Sequence, residues 1–119
     1  MQITQALHSA LLISNLEKSQ YFYSTVLGLS KVDRTLKFPG IWYQVGNFQI
    51  HLILAAKIIP DAVDYEKLGR NRHLAFSVTN LEAAKERLIA HNCLVQMSAS
   101  GRSALFTEDP DGNIIELSE

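Results

Sequence analysis

The sequence has little cysteine and no long apolar run. Cys93 is the only cysteine among the 119 residues, so an intramolecular disulfide and a thiolate-rich metal site are both excluded. The longest uninterrupted apolar run is Leu52 to Ala56, far short of the roughly 20 residues that a membrane-spanning helix needs. No basic segment precedes the short apolar stretch near the amino terminus. We therefore expect a cytoplasmic protein with no signal peptide and no membrane partner.

An excess of one sign of charge is also absent. The chain carries 11 Lys and Arg against 12 Asp and Glu, a formal net charge of −1, which does not favour a nucleic acid as partner. The one basic cluster, KLGRNRH at residues 67–73, is predicted to be a solvated loop, with a grip on the carboxylate or phosphate of a small ligand as the alternative. A hydrophobic fraction of 47% and this length predict a single globular domain over residues 1–119.

An internal repeat organises the chain. Residues 8–19 (HSALLISNLEKS) match residues 73–84 (HLAFSVTNLEAA) at an offset of 65, and repeats of this kind predict duplicated structural units. In each copy an apolar strand runs into a Ser/Thr-Asn-Leu-Glu segment, which predicts a capping box formed by the hydroxyl and the glutamate at a helix start. We expect the first helix to end at Gly28 and the second at Asn92.

Three short strands are predicted after each helix. They lie near residues 30–36, 40–45 and 48–55 in the first half, and near 93–97, 102–107 and 113–118 in the second. Gly46-Asn47 and the DPDGN segment at 109–113 predict the hairpin turns. The fold class is therefore α+β, with two βαβββ modules at about 1–56 and 72–119 joined by a connector at 57–71. Each half-sheet has one face to cover, so we expect the halves to close on each other or on a second chain.

The repeat places four polar side chains at equivalent strand positions. His8 corresponds to His73, and His51, in the middle of the apolar strand NFQIHLIL, corresponds to Glu116. If the first and last strands of each module are neighbours, each half presents two possible ligands side by side. Imidazole and carboxylate groups suit Zn, Ni, Fe, Co or Mn. The set His8, His51, His73 and Glu116 therefore predicts a divalent-metal site, whereas a single histidine of this kind is ordinarily a core residue.

The sequence resembles the vicinal oxygen chelate superfamily, which includes glyoxalase I, the extradiol dioxygenases and the bleomycin-resistance proteins. The segments that carry the resemblance are LHSALLISNLEKSQYFYSTVLGL, GIWYQVGNFQIHLI, RHLAFSVTNLEAA and LFTEDPDGNIIEL. The resemblance implies paired βαβββ modules of curved mixed sheet that form a cup around a divalent metal. It implies ligands at His8, His73 and Glu116, and a fourth at His51, where the isomerising members usually carry glutamate or glutamine. It also implies a homodimer with each site shared between subunits.

Three functions are compatible with this resemblance. The first is a glyoxalase-like or epimerase-like lyase or isomerase, in which a metal-stabilised enediolate forms on a small substrate with vicinal oxygens and Glu116, assisted by His51, moves the proton. The second is an Fe(II) ring-cleaving dioxygenase that uses the three ligands His8, His73 and Glu116. The third is a non-enzymatic small-molecule binding or resistance protein.

Further residues are candidates for binding a substrate. Trp42 and Phe106 are candidates for apolar walls, with core packing as the alternative. The basic side chains that could hold a substrate carboxylate, or simply lie at the surface, are Arg34, Lys37, Arg70, Arg72 and Arg102.

Overall fold

The computed structural model describes residues 1–35 and 37–119 and divides them into two units, Met1–Ile58 and Ile59–Glu119. The first unit contains β1 (His8–Ile13), α1 (Leu16–Gln20), a π-helical segment (Tyr21–Val26), β2 (Ser30–Val32), β3 (Gly40–Val45) and β4 (Phe48–Leu54). The second contains a 3₁₀ turn (Leu68–Arg70), β5 (Leu74–Ser77), α2 (Leu81–Ala90), β6 (Gln96–Met97), β7 (Ala104–Glu108) and β8 (Ile114–Ser118). None of the helices found in the described ranges has the length and apolar character needed to cross a membrane.

Each unit forms one four-stranded mixed sheet, and the two sheets have the same topology. The strand orders are β1-β4-β3-β2 and β5-β8-β7-β6. In each sheet the first and last strands pair in parallel, and the other pairs are antiparallel. The predicted α+β class with two βαβββ modules is therefore confirmed. The predicted pairing of first and last strands, on which the site depends, is also present.

The helix starts differ from the predicted capping boxes. Asparagine is the N-cap in both units: Asn15 Oδ1 accepts from the Lys18 amide at 2.9 Å, and Asn80 Oδ1 accepts from the Ala83 amide at 3.0 Å. The predicted hydroxyl-and-glutamate boxes are wrong by one residue, because the asparagine amide serves the same orphan N–H groups at least as well. The predicted ends are close, since Gly28 and Asn92 both adopt positive φ.

Two strands are less than half as long as predicted. β2 covers only Ser30–Val32 of the predicted 30–36, whose residue 36 lies outside the described part of the chain, and β6 covers only Gln96–Met97 of 93–97. Both lie at a sheet edge and pair on one side only, so fewer backbone hydrogen bonds hold them in extended form. The central strands β3 and β4 lie within a residue of their predicted bounds.

The core of the first unit lies on one face of its sheet. Ile50 and Leu52 of β4 are fully buried, as are Tyr23 and Tyr43, and burial of each such aliphatic side chain contributes about 1.5–3 kcal/mol. Strand alternation sends the intervening His51 to the opposite face. The same alternation leaves that opposite face of β1 exposed.

In the second unit a rigid loop packs against the sheet. Leu68 is buried in a cluster with Phe106 and Ile114. Asn71 is 6% exposed and ties the loop together, since its amide accepts from the Val63 and Asp64 amides and donates to the Asp64 and Leu68 carbonyls. The basic segment 67–73 is therefore the predicted solvated loop, with most of its residues exposed, and Leu68 and Asn71 anchor it to the rest of the unit.

Candidate functional site

The first unit holds His51 in a stack of aromatic rings. The His51 ring lies between Trp42, with ring centroids 4.0 Å apart, and His8, with centroids 4.1 Å apart. Trp42 is the direct cross-strand partner of His51 on β3, and Ala10 is its partner on β1. The Arg34 guanidinium lies 5.9 Å from the Trp42 ring. Two of the four predicted ligands thus lie together in this unit.

A chain of hydrogen bonds determines which His51 nitrogen carries the proton. The Gln44 side-chain nitrogen donates to the Gly46 and Phe48 carbonyls, so its Oε1 is left to accept from the Gln49 side-chain nitrogen at 2.8 Å. Gln49 Oε1 is then the acceptor that lies 2.8 Å from His51 Nε2. This network assigns the proton to Nε2 and leaves the lone pair of the neutral ring on Nδ1.

His51 is held as a neutral imidazole. Burial, the neighbouring His8 and the Arg34 guanidinium all lower the pKa of His51, with burial the largest cause. A lowered pKa keeps the ring unprotonated near neutral pH, which is the state that binds a metal.

The stacked arrangement does not direct the lone pairs of His8 and His51 to one point. A metal ion lies in the plane of each ligating imidazole, about 2.0–2.1 Å from the nitrogen. Two planes 4.1 Å apart and inclined by only 15° meet far beyond that distance. One of the two rings must turn before both can bind the same ion.

The second unit brings the other two predicted ligands together. His73 Nε2 lies 3.7 Å from Glu116 Oε1. His73 Nδ1 lies 2.7 Å from the Asn71 carbonyl, which can only accept, so Nδ1 carries the proton and the neutral ring keeps its lone pair on Nε2. The His73 and Phe106 rings lie nearly perpendicular, at 88°, with their centroids 5.4 Å apart. Two electron-rich atoms therefore face each other across a short gap.

The residues of this pair fit a divalent ion. Ligands about 2.1 Å from a tetrahedral or octahedral metal lie about 3.0–3.4 Å from one another, and the His73–Glu116 separation of 3.7 Å needs only a small closure. Metal-binding histidines characteristically donate their other N–H to a backbone carbonyl, as His73 does to Asn71. The imidazole and carboxylate donors suit Zn, Ni, Fe, Co or Mn alike.

Glu116 is buried but has polar partners. The residue is 8% exposed. The Arg102 guanidinium donates to Oε1 at 3.1 Å, and the Ser118 hydroxyl donates to Oε2 at 3.0 Å. Arg102 thus binds the oxygen that faces His73. Its positive charge would repel a metal ion bound at that oxygen.

A cavity of about 350 Å³ opens beside this pair. Its lining includes Glu116, His73, Phe106 and three basic side chains, which are Lys67, Arg70 and Arg102. The cavity therefore combines one carboxylate with three permanent cations. Its volume is at the lower end of the range typical of small-molecule sites.

The candidate substrate-binding residues separate into groups. Arg70 and Arg102 line the cavity, whereas Arg72 is paired with Asp61 at 2.6 Å and does not line it. Arg34 donates to the Phe38 carbonyl in the first unit, and Lys37 is exposed. Trp42 and Phe106 both contact a predicted ligand histidine. Phe106 is also a core residue, at 4% exposure.

Several supporting residues escaped the sequence-based prediction. Gln49 and Ser118 each lie two positions from a predicted ligand on the same strand, so the strand period was a signal for them. Lys67 belongs to the basic cluster, but its place in the cavity depends on the loop that the hydrogen bonds of Asn71 hold together. Within residues 1–35 and 37–119, no three His, Cys, Asp or Glu side chains lie together closely enough to hold a metal ion. The four predicted ligands are present as two pairs, one in each unit.

Comparison with known proteins identifies relatives of the whole chain. Residues 5–117 match the family described as the Glyoxalase/Bleomycin resistance protein/Dioxygenase superfamily. The lactoylglutathione lyase of Salmonella typhimurium is 32% identical over 123 residues, covering 95% of this chain and 90% of that protein. Glyoxylase I 4 of Arabidopsis thaliana is 25% identical over 126 residues, covering 98% of this chain and 71% of that protein.

Solved structures share the fold. A glyoxalase family protein from Enterococcus faecalis has a TM-score of 0.75 at 23% identity and covers 100% of both chains. The fosfomycin resistance protein FosX from Listeria monocytogenes has a TM-score of 0.78 at 13% identity, covering 99% of this chain and 91% of that one. With the sheet topology and the family match over residues 5–117, these findings place the chain in the Glyoxalase/Bleomycin resistance protein/Dioxygenase superfamily.

Proposed function

We propose that this protein is a divalent-metal-dependent lyase or isomerase of glyoxalase or epimerase type. Its substrate would be a small molecule with two adjacent oxygens, converted through an enediolate. The observation that carries the proposal is the placement of His8 with His51 and of His73 with Glu116. In each unit a histidine lies at the start of the first strand or directly before it, and its companion lies on the last strand, which pairs with the first in parallel. The 32% identity to a lactoylglutathione lyase supports the same reaction class.

The metal would be held by His8, His51, His73 and Glu116. A bound divalent ion supplies a Lewis acid that polarises the adjacent oxygens and makes the carbon between them easier to deprotonate. His73 is oriented for this by its bond to the Asn71 carbonyl, and His51 by Trp42 and Gln49. His8 is the ring that turns, since it is the exposed first residue of β1.

Glu116 is the proposed proton-transfer group. Its carboxylate is buried at 8% exposure and lines the cavity, so a substrate in the cavity meets it directly. The Ser118 hydroxyl donates to Oε2 and leaves Oε1 toward His73. Oε1 also accepts from Arg102 at 3.1 Å, so it would become available for a proton once Arg102 moves away. His51, kept neutral by its lowered pKa, is the proposed assisting base.

We further propose a homodimer in which each site is shared. His8 and His51 of one chain would join His73 and Glu116 of its partner. The exposed residues His8, Ala10 and Leu12 alternate along β1 and form an open sheet face, with Leu12 at 43% exposure. An open apolar face of this kind favours a covering partner.

Metal analysis tests the proposal most simply. Protein purified without added metal, then reconstituted separately with Zn, Ni, Fe, Co and Mn, should bind about one ion per chain. Reconstituted protein should then convert the hemithioacetal formed from methylglyoxal and glutathione, or another substrate with vicinal oxygens. Failure of all five metals to bind would overturn the metal-dependent function.

A second candidate function is supported by the state of His51. Its Nε2 is committed to Gln49, and its ring plane does not converge with that of His8. If His51 only supports the site, the remaining set of two histidines and one carboxylate is that of Fe(II) oxygenases. His51→Ala decides between the two: unchanged metal affinity together with ring cleavage of catechol by the Fe(II) protein would favour the dioxygenase. A metal-free binding protein remains the third candidate and predicts no bound metal.

A further inference from the structure

The cavity of the second unit carries an excess of positive charge, which binding of a metal ion does not require. Lys67, Arg70 and Arg102 line it, and Glu116 is the one carboxylate among its lining residues. A bound divalent ion would increase this excess of positive charge. Unneutralised cations around a small cavity favour an anionic ligand.

Two of the cations, Lys67 and Arg70, lie on a loop that is held by packing and hydrogen bonds. Lys67 and Arg70 flank Leu68, whose side chain is 1% exposed and whose amide donates to the Gln96 side chain at 2.8 Å. The loop is closed by the four hydrogen bonds of Asn71. Gly69 lies so close to Phe106 that an added Cβ would approach the ring at 2.7 Å. This packing holds the loop backbone against the cavity, which lowers the entropy cost of binding a ligand there.

The charges of the three cations are incompletely matched by acids of this unit. Arg70 reaches Asp64 only at 3.9 Å and is 65% exposed. Arg102 is 56% exposed and donates to Glu116 and to the Ser100 hydroxyl, at 3.1 and 3.3 Å. By contrast, Arg72 is tightly paired with Asp61 at 2.6 Å. Arg70 and Arg102 therefore retain donors for a ligand, and Arg72 does not face the cavity.

We propose that this cavity binds an oxyanion, a carboxylate or a phosphate, between Arg102, Arg70 and Lys67, and that the oxyanion takes Arg102 away from Glu116. Guanidinium groups bind both kinds of oxyanion through paired N–H donors. Removal of Arg102 leaves Glu116 Oε1 free beside His73. The substrate class is then a small molecule that carries an anionic group. Only this attribution to the substrate rests on the proposed function, since the cavity and its charges are independent of metal.

Inorganic phosphate is the first probe, titrated calorimetrically into the metal-free full chain. Wild-type protein should bind it saturably. Arg102→Gln should weaken binding roughly tenfold, the value of one charge-assisted hydrogen bond. Arg70→Gln and Lys67→Gln should each weaken it roughly threefold because these side chains are exposed. Arg72→Gln carries the same charge change outside the cavity and should leave the affinity within about twofold.

Glu116→Gln supplies the sharper arm. It replaces the carboxylate that competes for Arg102 with an uncharged amide, which holds Arg102 more weakly, so phosphate should bind several times more tightly than to wild-type protein. Acetate, titrated in parallel, distinguishes the two oxyanions: tighter binding of acetate assigns a carboxylate, and tighter binding of phosphate assigns a phosphate. Equal urea midpoints for the variants establish that each one is folded.

Three results would overturn the proposal. They are the absence of saturable binding of either anion, an equal effect of Arg72→Gln and Arg102→Gln, and unchanged phosphate affinity in Glu116→Gln. None of these bears on metal binding. Conversely, failure of the protein to bind metal would overturn the proposed function and leave the anion result intact.

Discussion

Glu116→Gln should separate the functional role of this carboxylate from any structural role. The residue is 8% exposed, so burial of its charge costs free energy that the Arg102 pair returns only in part. Arg102 is 56% exposed, and ion pairs screened to that degree contribute about 0–1 kcal/mol.

The hydrogen bonds of Glu116 survive the substitution. Glutamine Oε1 can accept from Arg102, and its side-chain nitrogen can donate to the Ser118 hydroxyl, which accepts as readily as it donates. Loss of the buried charge offsets loss of the ion pair. We therefore expect the free energy of unfolding of the metal-free protein to change by less than about 1 kcal/mol.

The effect on metal affinity should be far larger. Loss of an anionic ligand should raise the dissociation constant on the order of a hundredfold or more, about 2.7 kcal/mol, since outer partners of metal ligands alone are worth 10–100-fold. Urea unfolding and calorimetric metal titration measure the two quantities. Glu108→Gln, the same charge change on β7 at a side chain outside the predicted set, should alter neither. A stability loss above about 3 kcal/mol, or unchanged metal affinity, would refute the reasoning.

Three further predictions concern the supports of the site. Since the pKa of His51 is lowered, the unfolded chain takes up a proton at this residue before the folded chain does, as the pH falls through about 6.5. The free energy of unfolding of the wild-type protein should therefore decline relative to that of His51→Gln between about pH 7.5 and 5.5. Urea midpoints of the two proteins that change in parallel over this range would contradict this. Gln49→Leu removes the acceptor for His51 Nε2 and should weaken metal binding about tenfold in calorimetry, whereas unchanged affinity would leave the amide without that role. Asp109→Ala removes the acceptor of three hydrogen bonds from Asp111 and Asn113 in the turn before β8 and should cost about 2–4 kcal/mol in urea unfolding, so a loss below about 1 kcal/mol would contradict it.

The order and type of the elements follow from local patterns. The strand NFQIHLIL alternates polar and apolar residues from Asn47 to Leu52, and that period alone predicts Ile50 and Leu52 as core and His51 on the other face, as the structure has them. The helix starts were predictable within one residue because Ser14 and Asn15, like Thr79 and Asn80, are all good N-caps. Tertiary packing, and not local propensity, decides among such neighbours.

The side-chain contacts at the site were beyond the sequence pattern. Nothing local indicates that His51 stacks between Trp42 and His8, because the stack joins three strands. Arg102 was one basic residue among several candidates. Its bond to Glu116 depends on the path of the chain into β7, which brings together two side chains that are 14 positions apart in the sequence. The repeat predicted which residues occupy equivalent positions, while ring orientation and the protonated nitrogen required coordinates.

A mixed dimer tests the central claim most directly, namely that His8 and Glu116 hold one metal from different chains. His8→Ala and Glu116→Gln proteins should each bind metal poorly alone. In their mixed dimer, one site combines the intact His8 of one chain with the intact Glu116 of the other, and the second site lacks both. After random subunit exchange, half of the dimers are mixed and each has one of its two sites intact, so the bound metal should reach about a quarter of the wild-type value. Metal content that stays at the level of the separate variants, in mixed dimers shown to have formed, would contradict the shared site.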